Sequence, residues 1–387
     1  MKKVCVLTAT RAEYGLLKPL ISRISNDSFV KENIVVTGAH LSPEFGLTYK
    51  DIESDGFDID EKIEILVSAD TPSSISKSMG LAMISFADYF ARSKPDLLIV
   101  LGDRYETLAV CTAAMNERIP IAHLYGGETT EGAVDESVRH AITKLSYLHF
   151  TSTEEYRNRV IQLGEHPERV HTVGGLGVEN ILQSKFLSKD DLAESINFKL
   201  DKPFAMVTFH PVTLEDNQAE IQFQELLNVC KLYPQMKFIF TKANADAHGR
   251  IINQMIDKYV QDHDHAVAFT SLGLKRYLSG LKYAACVIGN SSSGLLEAPS
   301  FGIPTINIGD RQKGRIQAAS VINCYPTTSD INRAMELALS EEFKVIAEKT
   351  INPYGDGNTS IKILDVVKEQ LKESEITLKK KFYDYGG

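Results

Sequence analysis

The sequence predicts an α/β protein built as two Rossmann-like parallel-sheet domains that face each other across a cleft. Three observations carry that reading. The chain has 387 residues, more than one ordinary core organises and enough for two domains of about 150–200 residues each. Short apolar runs without inside/outside alternation recur between helical patterns, and the whole alternation occurs twice. The unusual polar residues follow the strands, where open parallel sheets bind their ligands.

In the first half, apolar runs at 4–7, 34–37, 97–101, 121–124 and 148–151, with a weaker one at 63–66, read as strands. Helical patterns cover 16–24, 74–92, 108–115, 137–145 and 154–163. Met79, Met83 and Phe86 lie on the second of these and read as core packing. The stretch Val173-Gly174-Gly175-Leu176-Gly177 has Asn180 where a dinucleotide fingerprint needs its third glycine, so it marks a domain boundary instead. The second half repeats the pattern, with strands at 205–209, 237–240, 267–269, 286–289 and 305–308. Its helices fall near 219–232, 249–259, 275–281, 295–300 and 331–339. A last helix, 360–372, follows Asn352-Pro353-Tyr354-Gly355-Asp356-Gly357. The expected division is 1–175, 176–358, and a C-terminal segment 359–387 that packs back on the first domain.

Composition removes several classes of function. A formal charge of −9 argues against nucleic acid or an anionic membrane as the main partner, so any phosphate must be held by local donors. The five cysteines are scattered without metal-ligand spacing and read as thiols of a reducing compartment. The first strand begins within a few residues of Met1, and no window approaches a membrane span, which points to the cytoplasm. No metal-binding motif and no lysine-bearing phosphate loop appears, so neither a metal nor another cofactor is expected.

The strand ends carry the candidate chemistry. Gly289-Asn290-Ser291-Ser292-Ser293-Gly294 stops a buried strand and opens a helix. Unpaired N–H groups, the positive end of a helix dipole and short hydroxyls suit a diphosphate there, although a serine-rich helix cap has the same sequence. Glu297, one turn later, sits where a carboxylate accepts from ribose hydroxyls. His210, held out of helical geometry by Pro211, can donate to a leaving phosphate or move a proton near neutral pH. Arg11, Arg104 and Arg311 each follow a strand and suit phosphate or carboxylate, or an ion pair between domains. Asp103, Glu128, Glu131, Asp135 and Glu136 are denser than a loop requires, and two such carboxylates on either face of a sugar ring permit proton removal and return. The structural alternative for Asp135 is helix capping through Arg139.

Taken together, Thr10-Arg11-Ala12-Glu13-Tyr14-Gly15, Gly102-Asp103-Arg104, Gly126-Gly127-Glu128, Asp135-Glu136-Ser137-Val138-Arg139-His140, Phe209-His210-Pro211, the serine turn and Gly309-Asp310-Arg311-Gln312 resemble the hydrolysing UDP-N-acetylglucosamine 2-epimerases, the type found in bacterial sialic-acid and legionaminic-acid synthesis. The resemblance runs from Lys3 to about Pro353. It implies the glycosyltransferase-B fold, a homodimer or higher homo-oligomer, and a UDP-sugar as ligand. It also implies anti elimination of UDP to a 2-acetamidoglucal, then hydration with inversion at C2 to give N-acetylmannosamine. Carried over, Ser291, Ser292, Arg11, His210 and Arg311 hold the diphosphate, Glu297 the ribose, and Asn244 lies near the nucleotide. Asp103 and Asp135 become the catalytic carboxylates, with Arg104 and Arg139 orienting substrate and acids.

One departure bears on the sugar. Many relatives have glutamate where this chain has Tyr125, and a phenol is a poor base at neutral pH. Glu128 or Glu131 then takes over, or the sugar is held differently. This opens the alternative substrate UDP-2,4-diacetamido-2,4,6-trideoxyglucose; the non-hydrolysing 2-epimerase is a further alternative.

Overall fold

The computed structural model describes residues 1–67, 71–129, 134–210, 219–242, 249–270, 272–372 and 376–384. It divides into two compact units, Met1–Asn180 with Tyr354–Gly387, and Ile181–Pro353.

The first unit holds seven parallel strands: β1 Lys2–Thr8, β2 Val30–Thr37, β3 Ile59–Ile63, β4 Leu97–Leu101, β5 Ile121–Leu124, β6 Leu148–Thr151 and β7 Val170–Thr172. Their order is β3-β2-β1-β4-β5-β6-β7, so the order reverses between β1 and β4. Both faces are covered, which is why the central strands carry no polar alternation. Val4 and Val6 pack on one side with Leu17, Leu20 and Ile21 of the helix Arg11–Ser25 and Ile363 and Val367 of the helix Thr359–Lys372. Cys5 and Leu7, one residue out of phase, pack on the other with Phe86 and Phe90 of the helix Pro72–Ser93 and Val110 and Ala113 of the helix Tyr105–Asn116. Phe86 is core and Met79 packs against it, while Met83 is exposed. The C-terminal helix is tied to this unit by Ser360, whose hydroxyl accepts from Arg23 Nε at 2.6 Å and donates to buried Glu179 at 2.5 Å.

The second unit holds β8 Phe204–Thr208, β9 Lys237–Thr241, β10 Ala266–Phe269, β11 Cys286–Gly289, β12 Thr305–Ile308 and β13 Val321–Cys324, in the order β10-β9-β8-β11-β12-β13, all parallel. Here the order reverses between β8 and β11. Val207 and Ile288 face the helices Ala219–Lys231 and Thr328–Leu339, and Met206 and Val287 face the helix Gly273–Tyr283.

Three strands depart from the sequence reading. β3 lies at 59–63, not 63–66, because its edge position leaves Asp60 and Lys62 exposed between Ile59, Glu61 and Ile63. β7 and β13, of three and four residues, are edge strands too short to stand out as apolar runs. Four cysteines are buried and Cys324 is partly so, all as free thiols. Among the described residues, no helix is long and apolar enough to cross a membrane.

Candidate active site

In each unit the polar residues gather at the carboxyl ends of the two strands flanking the reversal of strand order and of the strand next to them, the place where such sheets bind ligands.

In the first unit, Gly102 leaves β4 with φ +76, and its carbonyl is held at 2.8 Å by Nε2 of buried His123. A carbonyl only accepts, so Nε2 carries the proton and Nδ1 accepts from Thr143 at 3.2 Å. Burial pushes His123 down to about 3, which keeps that tautomer neutral. The fixed turn delivers Asp103 to Arg139, whose guanidinium is buried and donates to it. The same guanidinium donates to the Glu128 carbonyl at 2.7 Å and approaches Glu136 at 3.6 Å. Arg139 thus ties the turns after β4 and β5 to the helix Val134–Leu145. Burial raises the Asp103 carboxyl above its usual range, Arg139 opposes this, and the nearby Asp135 charge adds to it. Asp135 is exposed in the first turn of that helix. Glu128 accepts from Ser152 at 2.9 Å. Asp103, Arg139 and the Glu128 backbone are therefore brought together, with the Asp135 charge acting on Asp103 from the same helix as Arg139.

Arg104 is turned elsewhere. Its Nε and Nη2 both meet Glu106 Oε1 at 2.8 Å, with Glu106 fully buried. Glu13 also belongs to the scaffold, accepting from the Ala9 and Thr10 N–H groups at 2.7 and 3.0 Å in a reciprocal cap with Thr10. Arg11 is exposed and only 3.8 Å from Asp51. Arg11, Arg104 and Glu106 line a cavity of about 1130 Å³ together with Thr10, Ser42 and Leu66.

In the second unit, the ends of β8 and β11 are clamped by Asn290. Its Oδ1 accepts from the His210 N–H at 2.7 Å, and its Nδ2 donates to the His210 carbonyl at 2.8 Å. The Asn290 carbonyl in turn accepts from Arg311 Nη1 at 3.0 Å and from buried Gln312 at 2.9 Å. His210, the serine turn and Arg311 are thus one assembly. The expected helix at 295–300 is instead a single turn, Ser293–Leu296, followed by a 3-10 turn, Ala298–Phe301, because Pro299 interrupts the ladder. The three serines also divide. Ser293 donates to Glu297 Oε2 at 2.5 Å and bonds to the Tyr277 hydroxyl, whereas Ser291 accepts the Ser293 N–H at 3.4 Å. The Ser292 hydroxyl has no partner among the described residues. Burial raises the Glu297 carboxyl, and the Ser293 bond opposes it.

Asn244 and Glu131 lie outside the described residues. Sequence reasoning missed Asn290 and Gln312 as framework although both stand inside the motifs, placed Glu106 after a strand without giving it a role, and missed Tyr277 altogether. Among the described residues no three side chains of metal-ligand type converge.

Residues 22–368 match the family model described as UDP-N-acetylglucosamine 2-epimerase. The chain belongs to that family. It is 46% identical over 344 residues, 89% of each chain, to the GDP/UDP-N,N'-diacetylbacillosamine 2-epimerase (hydrolyzing) of Campylobacter jejuni. It is 35% identical to the UDP-N,N'-diacetylbacillosamine 2-epimerase (hydrolyzing) of Legionella pneumophila, covering 97% of this chain and 98% of that one. The UDP-GlcNAc 2-epimerase of Neisseria meningitidis, solved bound to UDP-GlcNAc, shares the fold with a TM-score of 0.78 at 19% identity, over 95% of this chain and all of the other.

In this 2-epimerase family member, Tyr125 follows β5 directly. Its backbone takes φ +68, and its hydroxyl accepts from the Leu176 N–H at 2.7 Å while the ring packs against the sheet's core. Burial raises the phenol above its usual range, with Glu128 adding to the effect. The side chain therefore braces the segment after β7 and stays protonated. Tyr125→Phe is expected to cost about 1–2 kcal/mol in a melting experiment, from the orphaned N–H, and to leave kcat within about threefold. A loss of a hundredfold in kcat with unchanged melting would instead make the phenol a proton carrier.

Proposed function

We propose that this chain is a hydrolysing 2-epimerase of a UDP-linked 2-acetamido sugar. The observation that carries the reading is the pairing of Asp103 with the buried guanidinium of Arg139, which also holds the Glu128 carbonyl, with the Asp135 charge acting on Asp103. It is joined by the family membership and by two relatives whose names specify hydrolysis. In the first step a carboxylate takes the proton from C2 while the C1–O bond breaks, and its electrons leave with UDP on the opposite face. In the second, water adds to C1 of the resulting 2-acetamidoglucal and a proton returns to C2 from the other face. The sum consumes one water and releases UDP and the free 2-epimer. Asp103 and Asp135 serve as the acid and base, with Glu128 as a further catalytic carboxylate and Arg139 paired with Asp103. Arg104, paired with Glu106, orients the substrate. Ser291, Ser292, His210, Arg311 and Arg11 hold the diphosphate, Glu297 the ribose, and Asn244 is assigned near the nucleotide.

Two sugars fit this reading. UDP-N-acetylglucosamine, which would give N-acetylmannosamine, follows from the family description. UDP-2,4-diacetamido-2,4,6-trideoxyglucose is favoured by the Campylobacter and Legionella relatives, both named for a diacetylated sugar. Incubating the protein with each in deuterated water and following the products by NMR tests both levels. The expected result is free 2-epimer deuterated at C2, with equimolar UDP, from at least one of them. A UDP-linked epimer would make the enzyme non-hydrolysing, and no UDP release from either would overturn the reading.

A further inference from the structure

The third serine of the turn does not point its hydroxyl toward an anion. Ser293 donates to Glu297 Oε2 at 2.5 Å, and its oxygen bonds to the Tyr277 hydroxyl at 2.6 Å. An ionised carboxylate can only accept, so the direction of the chain is fixed: Tyr277 donates to Ser293, and Ser293 donates to Glu297. Tyr277 stands on the helix Gly273–Tyr283, and its oxygen is also supported by the Thr208 side chain at the end of β8. Thr208 itself bonds to Thr241, its register partner on β9. A line of hydroxyls thus runs from the sheet to one oxygen of Glu297 and leaves the other, Oε1, without a partner among the described residues.

We infer that Tyr277 and Ser293 are positioning residues that aim Glu297 at the ribose hydroxyls and so make the site selective for ribonucleoside diphosphate sugars over their 2'-deoxy counterparts. The inference rests on the proposed role of Glu297. A carboxylate at the junction of two short helical turns has free side-chain torsions unless one oxygen is fixed, and here Ser293 fixes it. The remaining oxygen then presents a constant acceptor to a sugar hydroxyl, a charge-assisted contact whose loss is felt more than that of a neutral bond. A relative named for both GDP and UDP substrates has the ribose and diphosphate, not the base, as the shared features of its nucleotides. A ribose reader is the element such a site needs.

Calorimetric titration of UDP and 2'-deoxy-UDP into wild type, Tyr277→Phe, Ser293→Ala and Ser293→Thr tests this. Wild type is expected to prefer UDP by roughly tenfold or more, the scale of one hydrogen bond to a charged group. Tyr277→Phe and Ser293→Ala are expected to shrink that preference to about threefold or less by weakening UDP alone, and Ser293→Thr, which keeps the hydroxyl, to retain most of it. Parallel weakening of both nucleotides would mean a merely structural role and overturn the inference, as would equal binding of both by wild type. In either case nucleotide binding by this unit would stand. If wild type bound neither, the reading of the serine turn would fall, and the inference with it.

Discussion

Asp103→Asn is expected to lower kcat by on the order of 10³ while leaving UDP affinity within about twofold of wild type. The amide keeps the shape of the carboxylate and one hydrogen bond to Arg139, so the turn after β4 survives. What disappears is a group able to gain and lose a proton. The size follows from the role, since positioned acid–base groups contribute about 10²–10⁴ in rate. The pH profile gives a second, independent readout. Burial and the Asp135 charge raise the Asp103 carboxyl, and Arg139 restrains that rise. Arg139→Met removes the restraint, so the titration of Asp103 moves to higher pH. If Asp103 is the base, which must be ionised, the acid limb of kcat/KM moves up. If it is the acid, which must be protonated, the alkaline limb moves up. A profile in which neither limb moves, or an Asp103→Asn enzyme at full rate, would exclude Asp103 from the chemistry.

The sequence reading reached this residue because position was legible where contact was not. β1, β4, β8 and β11 are covered on both faces, so their burial is continuous and their apolar runs are unmistakable. Finding the strand ends then locates Asp103, His210 and the serine turn without any knowledge of side-chain partners. The edge strands were harder for the same reason in reverse: β3 alternates, and β7 and β13 are too short to show a period. Roles were less legible than positions. The resemblance gave Arg104 and Arg139 one role, orienting substrate and acids, yet one turns to Glu106 and the other to Asp103, a difference set by tertiary packing. Glu13 was legible in principle, because Thr10-x-x-Glu13 is the spacing of a reciprocal helix cap. Tyr277 was not, since it meets Ser293 from a separate helix sixteen residues earlier in the chain.

Gly289→Ala is expected to be the most damaging single change in the second unit. Gly289 has φ +137, a region that side chains avoid, and a methyl built there would stand 1.8 Å from the Thr208 carbonyl oxygen. That carbonyl cannot retreat freely. It belongs to β8, the register partner of β11, and it accepts from the Asn290 N–H at 3.1 Å. The methyl must therefore spread two central strands, and strain plus overpacking together cost about 3–5 kcal/mol, a large part of the ~5–15 kcal/mol that stabilises a domain. The same displacement pulls Asn290 away from His210, so UDP affinity is expected to fall by at least about tenfold in whatever fraction remains folded. Gly309→Ala separates the two causes: Gly309 also has positive φ, at +70, but nothing lies within 4 Å of a methyl there. Its cost should be backbone strain alone, about 1–2 kcal/mol. Differential scanning calorimetry of both variants decides the matter, and a Gly289→Ala protein melting no lower than Gly309→Ala would show that β8 and β11 have slack that this packing denies them.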